Sequence, residues 1–259
     1  MILNNSTIHF KKQGHGAALI VLHGIFGSGD NWQTLANNLQ DQYTVYLIDQ
    51  RNHGRSFHSD DFDLDVLADD IYKFIIAESL SKVHVLAHSM GGKVALKLLS
   101  LCPQLLDKII IVDIAPKAYP AGHEDIFRAM MEMPFSEIKS RTEADQHMLK
   151  YITDPMVRQF ILKNLSRTES GGFEWKLNLK SIFDNYEKIL LSIYPEIKEQ
   201  HEVLFILGEN SNYIKAIDKT AILEKYPHAK FQTIPHAGHW VHADNFEAFV
   251  SVVKKYLQN

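Results

Sequence analysis

This 259-residue sequence predicts an α/β protein, a doubly wound and mostly parallel sheet carrying one inserted helical segment. Three observations carry that expectation. Apolar runs of strand length alternate with segments of helical spacing, the rhythm of repeated βαβ units. The runs are continuous rather than alternating, as in strands covered on both faces. The rhythm breaks once, between Lys117 and Gln200, where helical patches appear without a long β-branched run.

Taken in order, Thr7 to Phe10 reads as a first edge strand closed by Lys11-Lys12-Gln13-Gly14. Ala17 to Leu22 reads as a buried strand running into His23-Gly24-Ile25-Phe26-Gly27-Ser28-Gly29, where glycines allow tight turning and present backbone N–H groups. Asp30 is the expected N-cap of a helix through Trp32, Leu35, Ala36 and Leu39. The strand Tyr43 to Ile48 ends in the polar loop Asp49 to Ser56, and a helix follows through Leu67, Ile71, Phe74 and Ile75. Val83 to His88 is the next strand, then a helix from Lys93 to Leu99, then the strand from Ile109 to Asp113. Between Lys117 and Gln200, Ile126 to Met130 and Met156 to Leu165 have helical spacing, and Gly171 to Trp175 suggests a turn and a short extended piece. The alternation resumes with the strand Val203 to Leu207, a helix near Ile217 to Tyr226, the strand Lys230 to Ile234 and a closing helix from Phe246. The expected division is a core of residues 1–116 and 201–259 with a helical lid, 117–200, inserted after the Asp113 strand.

The candidate chemistry centres on Ala87-His88-Ser89-Met90-Gly91. A strand that turns sharply at a serine into a helix has the form of a nucleophile elbow, usually written G-x-S-x-G; Ala87 replaces the first glycine with only a methyl group. In isolation an N-cap serine would look the same. A serine hydroxyl needs a base, and the base an anionic orienter, in the chain order Ser, acid, His. His239, beside Gly238 in the loop after the last strand, is the expected base. Two strand ends offer an acid, Asp113 and Glu209. Asp113 is favoured, because a carboxylate closing an apolar strand is costly without a partner such as an imidazole. The expected oxyanion donors are the backbone N–H groups of Met90 and Ile25, with Phe26 next. Phe26, His88, Met130 and Trp240 are the expected substrate contacts. Five of the seven methionines, Met130, Met131, Met133, Met148 and Met156, lie in the insertion, suited equally to a flexible acyl pocket or to plain helix packing.

Composition narrows the partners. A net charge of −4 without a long basic block argues against nucleic acid. The single Cys102 excludes an internal disulfide or a cysteine metal cluster. His236, His239 and His242 straddle a glycine-containing loop and no His-Glu-x-x-His occurs, so no metal is expected. The glycine-rich loop lacks both the Gly-Lys-Ser/Thr ending and the dinucleotide spacing, so no cofactor is expected. Met1 to Ser6 shows no basic region leading into a long apolar run, so no signal peptide, no membrane segment and a cytoplasmic location are expected.

Across nearly its whole length the chain resembles the α/β-hydrolase superfamily, and within it the YbfF-like esterases. The resemblance runs through His23 to Ser28, Asp49 to Gly54, His88 to Lys93, Asp113 to Pro116 and Ala237 to Ala243. It implies hydrolysis of carboxylic esters, with acyl thioesters of coenzyme A as further substrates, a helical lid, and a triad on Ser89, Asp113 and His239. In the insertion basic and acidic residues are nearly balanced, so a coenzyme A phosphate would need a local cation such as Arg128 or Arg158. The rivals are carbon–carbon bond hydrolysis or perhydrolysis on the same triad, and a non-catalytic binding module. Dehalogenase and epoxide hydrolase chemistry would need an aspartate where Ser89 stands.

Overall fold

The computed structural model describes residues 7–258. Met1 to Ser6, read above for a targeting segment, lies outside the described residues. Nine strands appear there: β1 (Phe10–Gln13), β2 (Ala17–Leu22), β3 (Tyr43–Ile48), β4 (Val83–His88), β5 (Leu106–Val112), β6 (Leu165–Arg167), β7 (Phe173–Trp175), β8 (Val203–Gly208) and β9 (Lys230–Ile234). Seven form one sheet in the order β1-β3-β2-β4-β5-β8-β9. All its pairings are parallel except β1 with β3.

The central strands are Leu-, Ile- and Val-rich because both faces are covered. On one face α1 (Gln33–Leu39) and α11 (Phe246–Gln258) pack Leu35, Leu39, Phe249 and Val253 against Val21, Leu86 and Ile110. On the other, α2 (Leu64–Ala77) and α3 (Met90–Leu101) bury Leu67, Ile71, Val94 and Leu98 against Ile20, Val85 and Ile111. The chain leaves β2 for β3 on one side and returns to β4 on the other. The strand order therefore reverses between the parallel neighbours β2 and β4, and a crevice opens beyond their carboxyl ends, the usual ligand position in such sheets.

Between β5 and β8 lie α4 (Glu124–Met131), α5 (Arg141–Met148), α6 (Pro155–Leu162), the β6–β7 ribbon, α7 (Leu179–Asp184) and α8 (Tyr186–Leu190). The chain finishes through α9 (Ala216–Lys225), β9, α10 (Val241–Asp244) and α11. Among the described residues no helix is long and apolar enough to cross a membrane.

Two local expectations need correction. The edge strand is Phe10–Gln13, so Lys11 and Lys12 lie within it. An edge strand has one side facing water and tolerates lysines, while Phe10 supplies its anchor against Tyr46 and Phe74. Asp30 is not an N-cap. A 3₁₀ turn, Gly29–Trp32, precedes α1 and is capped at Ser28, whose N–H donates to the Asn31 side chain at 2.7 Å. Asp30 instead pairs with Lys11 across the surface.

Candidate active site

Ser89 sits at the β4–α3 junction with φ +53°, a conformation that non-glycine residues rarely adopt and that costs roughly 1–3 kcal/mol. The neighbours that permit it are bare backbone. A Cβ on Gly91 would lie 2.6 Å from the His23 carbonyl oxygen, and one on Gly24 3.0 Å from the Ser89 Cβ. These close approaches explain why small residues surround the serine. The turn also leaves the Met90 N–H at the first position of α3, where no intrahelical acceptor exists.

His239 Nε2 lies 3.1 Å from Ser89 Oγ, and His239 Nδ1 lies 2.8 Å from Asp113 Oδ2. The carboxylate is fully buried, just past β5 at φ +52°. It also accepts the Gly208 N–H at 3.2 Å and a short hydrogen bond from the Ser211 hydroxyl. Three donors therefore compensate a buried anion. An anionic Asp113 accepts from Nδ1–H, which leaves Nε2 as the acceptor for the serine proton. Glu209 is elsewhere: it is exposed and accepts the backbone N–H of His236 at 2.8 Å. The His239 loop reaches Asp113 because Gly208 has no side chain. A Cβ there would lie 2.1 Å from the Gly238 carbonyl oxygen.

A ring of neutral histidines supports this geometry. Gln50 N–H donates to His23 Nε2 at 3.0 Å, so His23 donates from Nδ1 to the Gly24 carbonyl at 2.8 Å. In the same way Phe26 N–H donates to His53 Nε2 at 3.2 Å, and His53 Nδ1 donates to the Arg51 carbonyl at 2.9 Å. Each ring must keep one bare nitrogen. Burial enforces the same state, lowering the pKa of His23 to about 4 and that of His53 to about 3. His88 donates from Nε2 to the His239 carbonyl at 2.9 Å, and burial holds it well below the ordinary histidine range. Tyr213 stacks on the His239 ring at a centroid distance of 3.7 Å and an interplanar angle of 12°. Asp49 braces the loop beneath, accepting the N–H groups of Gly29 at 2.7 Å and Arg55 at 2.9 Å.

The remaining expected residues divide. Ile25, Phe26, His88 and Trp240 line the space beside Ser89, His88 being held to the His239 backbone. Met130 does not line it. It is 1% exposed within the hydrophobic core, because α4 turns its Phe127–Met130 side inward, while the exposed Met156 of α6 borders a neighbouring groove that it shares with Trp32, Phe160 and Trp240. Arg158 is no phosphate ligand either: its guanidinium is taken up by Asp145 at 2.9 Å and by the carbonyls of Ile152 and Thr153. Arg128 lies on the surface near Glu132. His236 points to solvent and His242 stacks on Trp32 at 4.0 Å, so the three histidines of this loop do not converge.

Sequence reasoning missed Ser211, Tyr213, Lys93, His123 and Phe160. Lys93 Nζ is buried at the end of α8, donating to the carbonyls of Leu190 at 3.0 Å and Leu191 at 2.7 Å; burial lowers its pKa to about 8. His123 and Phe160 come from the insertion and line the space beside Ser89. Ser211 carried a signal, in the polar run after β8 where an acid was sought, and Lys93 stood at the end of the His88-to-Lys93 motif.

The sequence profile of the alpha/beta hydrolase fold family matches residues 17–246. A putative esterase/lipase of Haemophilus influenzae is 35% identical, over 99% of this chain and 88% of its own length. Esterase YbfF of Escherichia coli is 31% identical, over 100% of both chains. The solved structure of a marine microorganism esterase superposes with a TM-score of 0.94 at 41% identity, covering 96% of this chain and 98% of that one.

Proposed function

Because this chain belongs to the α/β-hydrolase fold family and has esterase relatives along its whole length, we propose that it hydrolyses carboxylic esters through an acyl-enzyme on Ser89. The observation that carries this reading is the unbroken relay from the Ser89 hydroxyl to His239 at 3.1 Å and on to Asp113 at 2.8 Å. His239 Nε2 takes the hydroxyl proton as Ser89 Oγ attacks the acyl carbonyl, and Asp113 stabilises the imidazolium that forms. The oxyanion is held by the N–H groups of Met90 and Ile25. Ile25 is preferred to Phe26, whose N–H is engaged by His53. Such a donor contributes ~3 kcal/mol to the transition state. Nε2 then protonates the departing oxygen, and water activated by the same nitrogen releases the acid from Ser89.

His88 is a positioning residue, holding the His239 backbone, while Phe26 and Trp240 contact substrate. Residues 117–200 form the lid, a reading supported by Phe160, His123 and Ile126 bordering the space beside Ser89. Acyl thioesters present the same carbonyl to the same relay and form a second substrate class.

A fluorophosphonate probe should label Ser89 in the native protein and fail with His239→Ala. Labelling at another residue, or none, refutes the mechanism. Aryl esters, acyl thioesters and diketones ranked by kcat/KM then separate ester, thioester and carbon–carbon bond hydrolysis.

A further inference from the structure

Two spaces meet at Ser89. One is a slot of about 50 Å³ bordered by Ser89, His239, Phe160 and Trp240. It shares Trp32, Phe160, Trp240 and His242 with an outer groove of about 550 Å³ that adds Met156 and Phe246. The other space is a cavity of about 440 Å³ bordered by Ser89, Met90, Ile114, Ile189 and Tyr213. His239 borders the slot and, among the described residues, does not border that cavity.

This division has a chemical consequence. The carbonyl carbon attacked by Ser89 carries two substituents, and only one leaves. As the bond to Oγ forms and the bond to the alcohol oxygen breaks, that oxygen takes from His239 Nε2 the proton Ser89 gave up. The departing oxygen must therefore lie within hydrogen-bond reach of Nε2, on the slot side. Tyr213, which borders the cavity, covers one face of the same imidazole. The acyl chain takes the remaining direction, past Met90.

We infer that the slot and outer groove receive the leaving group and that the 440 Å³ cavity receives the acyl chain. The inference rests on the acyl-enzyme mechanism proposed above and adds substrate orientation and class. The slot, about 50 Å³, is far narrower than the 440 Å³ cavity or the 550 Å³ groove. It admits a slim, unbranched alkoxy group at the reacting oxygen. Beyond it the Met156, Trp32 and Phe246 groove suits an apolar tail. The favoured substrates are esters of primary alcohols carrying an apolar chain. The Phe160–Trp240 ring pair, with centroids 5.4 Å apart, sets that restriction.

Two substrate series test the orientation: butyrate esters of primary and secondary octanols, and ethyl esters of acids from acetate to dodecanoate. Phe160→Ala widens the slot, and Ala118→Trp, at an exposed position on the cavity wall, narrows the cavity. Phe160→Ala should raise the secondary-to-primary ratio of kcat/KM about tenfold and keep the acyl-length profile, the size of effect a pocket gives per methylene. Ala118→Trp should lower the dodecanoate-to-acetate ratio about tenfold and keep the alcohol ratio. Ratios within one variant cancel any loss of folded protein. The crossed pattern, or ratios that move in neither variant, overturns the assignment. Failure of fluorophosphonate to label Ser89 in the native protein refutes the acyl-enzyme mechanism instead, so the two failures are distinguishable.

Discussion

The carboxyl edge of the sheet and the helical segment above it are held by different physics. At the edge, backbone does the positioning: positive φ at Ser89 and Asp113, glycines in near contact with carbonyls, and neutral histidines locked between backbone partners. The insertion is tied to that edge mainly by side chains, with Asn164 donating to the Phe26 carbonyl at 2.7 Å, Asn52 to Ser181 at 3.1 Å, and Lys93 to the end of α8, beside backbone bonds from Asn178 to the Asn52 carbonyl at 2.9 Å and from Ile193 to that of Pro116 at 2.7 Å. In the function proposed, reactivity rests on rigid turns and substrate definition on a separately tethered layer. Chemistry demands sub-ångström placement, while a pocket tolerates adjustment.

The largest expected effect lies at the edge alone. Ser89→Ala or His239→Ala should lower kcat/KM by about 10⁴–10⁶-fold. Thermal unfolding should move little for Ser89→Ala, whose side chain does not anchor the core, and should fall for His239→Ala, which takes one of three donors from the buried Asp113 carboxylate. Asp113→Asn should cost about 10⁴-fold, against a change of about threefold or less for the exposed Glu209→Gln. Equal losses at the two positions would break the assignment of the acid.

Acidification probes the same edge through stability. His23 and His53 have folded-state pKa values lowered from 6.5 to about 4 and about 3. The unfolded chain therefore takes up protons first. Stability is fully present above pH 6.5 and falls as pH drops toward about 4 and then about 3. The loss reaches several kcal/mol in total, because each tenfold difference in proton affinity between the folded and unfolded chain is worth ~1.4 kcal/mol. Urea unfolding at a series of pH values measures this. A stability that stays flat below pH 6 would show that these rings are not held neutral.

Tether variants should act more weakly. Lys93→Met removes the buried ammonium that the carbonyls of Ile189, Leu190 and Leu191 share and should cost about 2–3 kcal/mol; Asn164→Ala should cost about 1 kcal/mol. Both should shift substrate ratios more than the rate of Ser89 phosphonylation, and the reverse would merge the two regions. The smallest effect is at the surface of the insertion, where Arg128→Ala should change stability by less than about 0.5 kcal/mol.

Legibility follows the same divide. The strands, the order of Ser89, Asp113 and His239, and the turn glycines could be read because each depends on local pattern or on a strand end. The choice of Asp113 over Glu209 could be argued from desolvation, since an anion closing an apolar strand must find a partner. Met130 could not be assigned from spacing. A short amphipathic helix announces an apolar side but not whether core or groove meets it, and α4 turns Met130 into the core. Arg158 failed for a related reason, because its charge was already matched by Asp145 and two carbonyls from its own segment.

By itself the sequence determined the central strands, the elbow and the three side chains that the proposed relay uses, because hydrophobic periodicity and backbone sterics act over a few residues. Only the tertiary structure decided the rest. Ser211 completes the shell of Asp113, Tyr213 covers His239, and Phe160 meets Trp240 across eighty positions of chain to make the slot. Contacts of that range depend on how whole elements pack, and no local pattern encodes them.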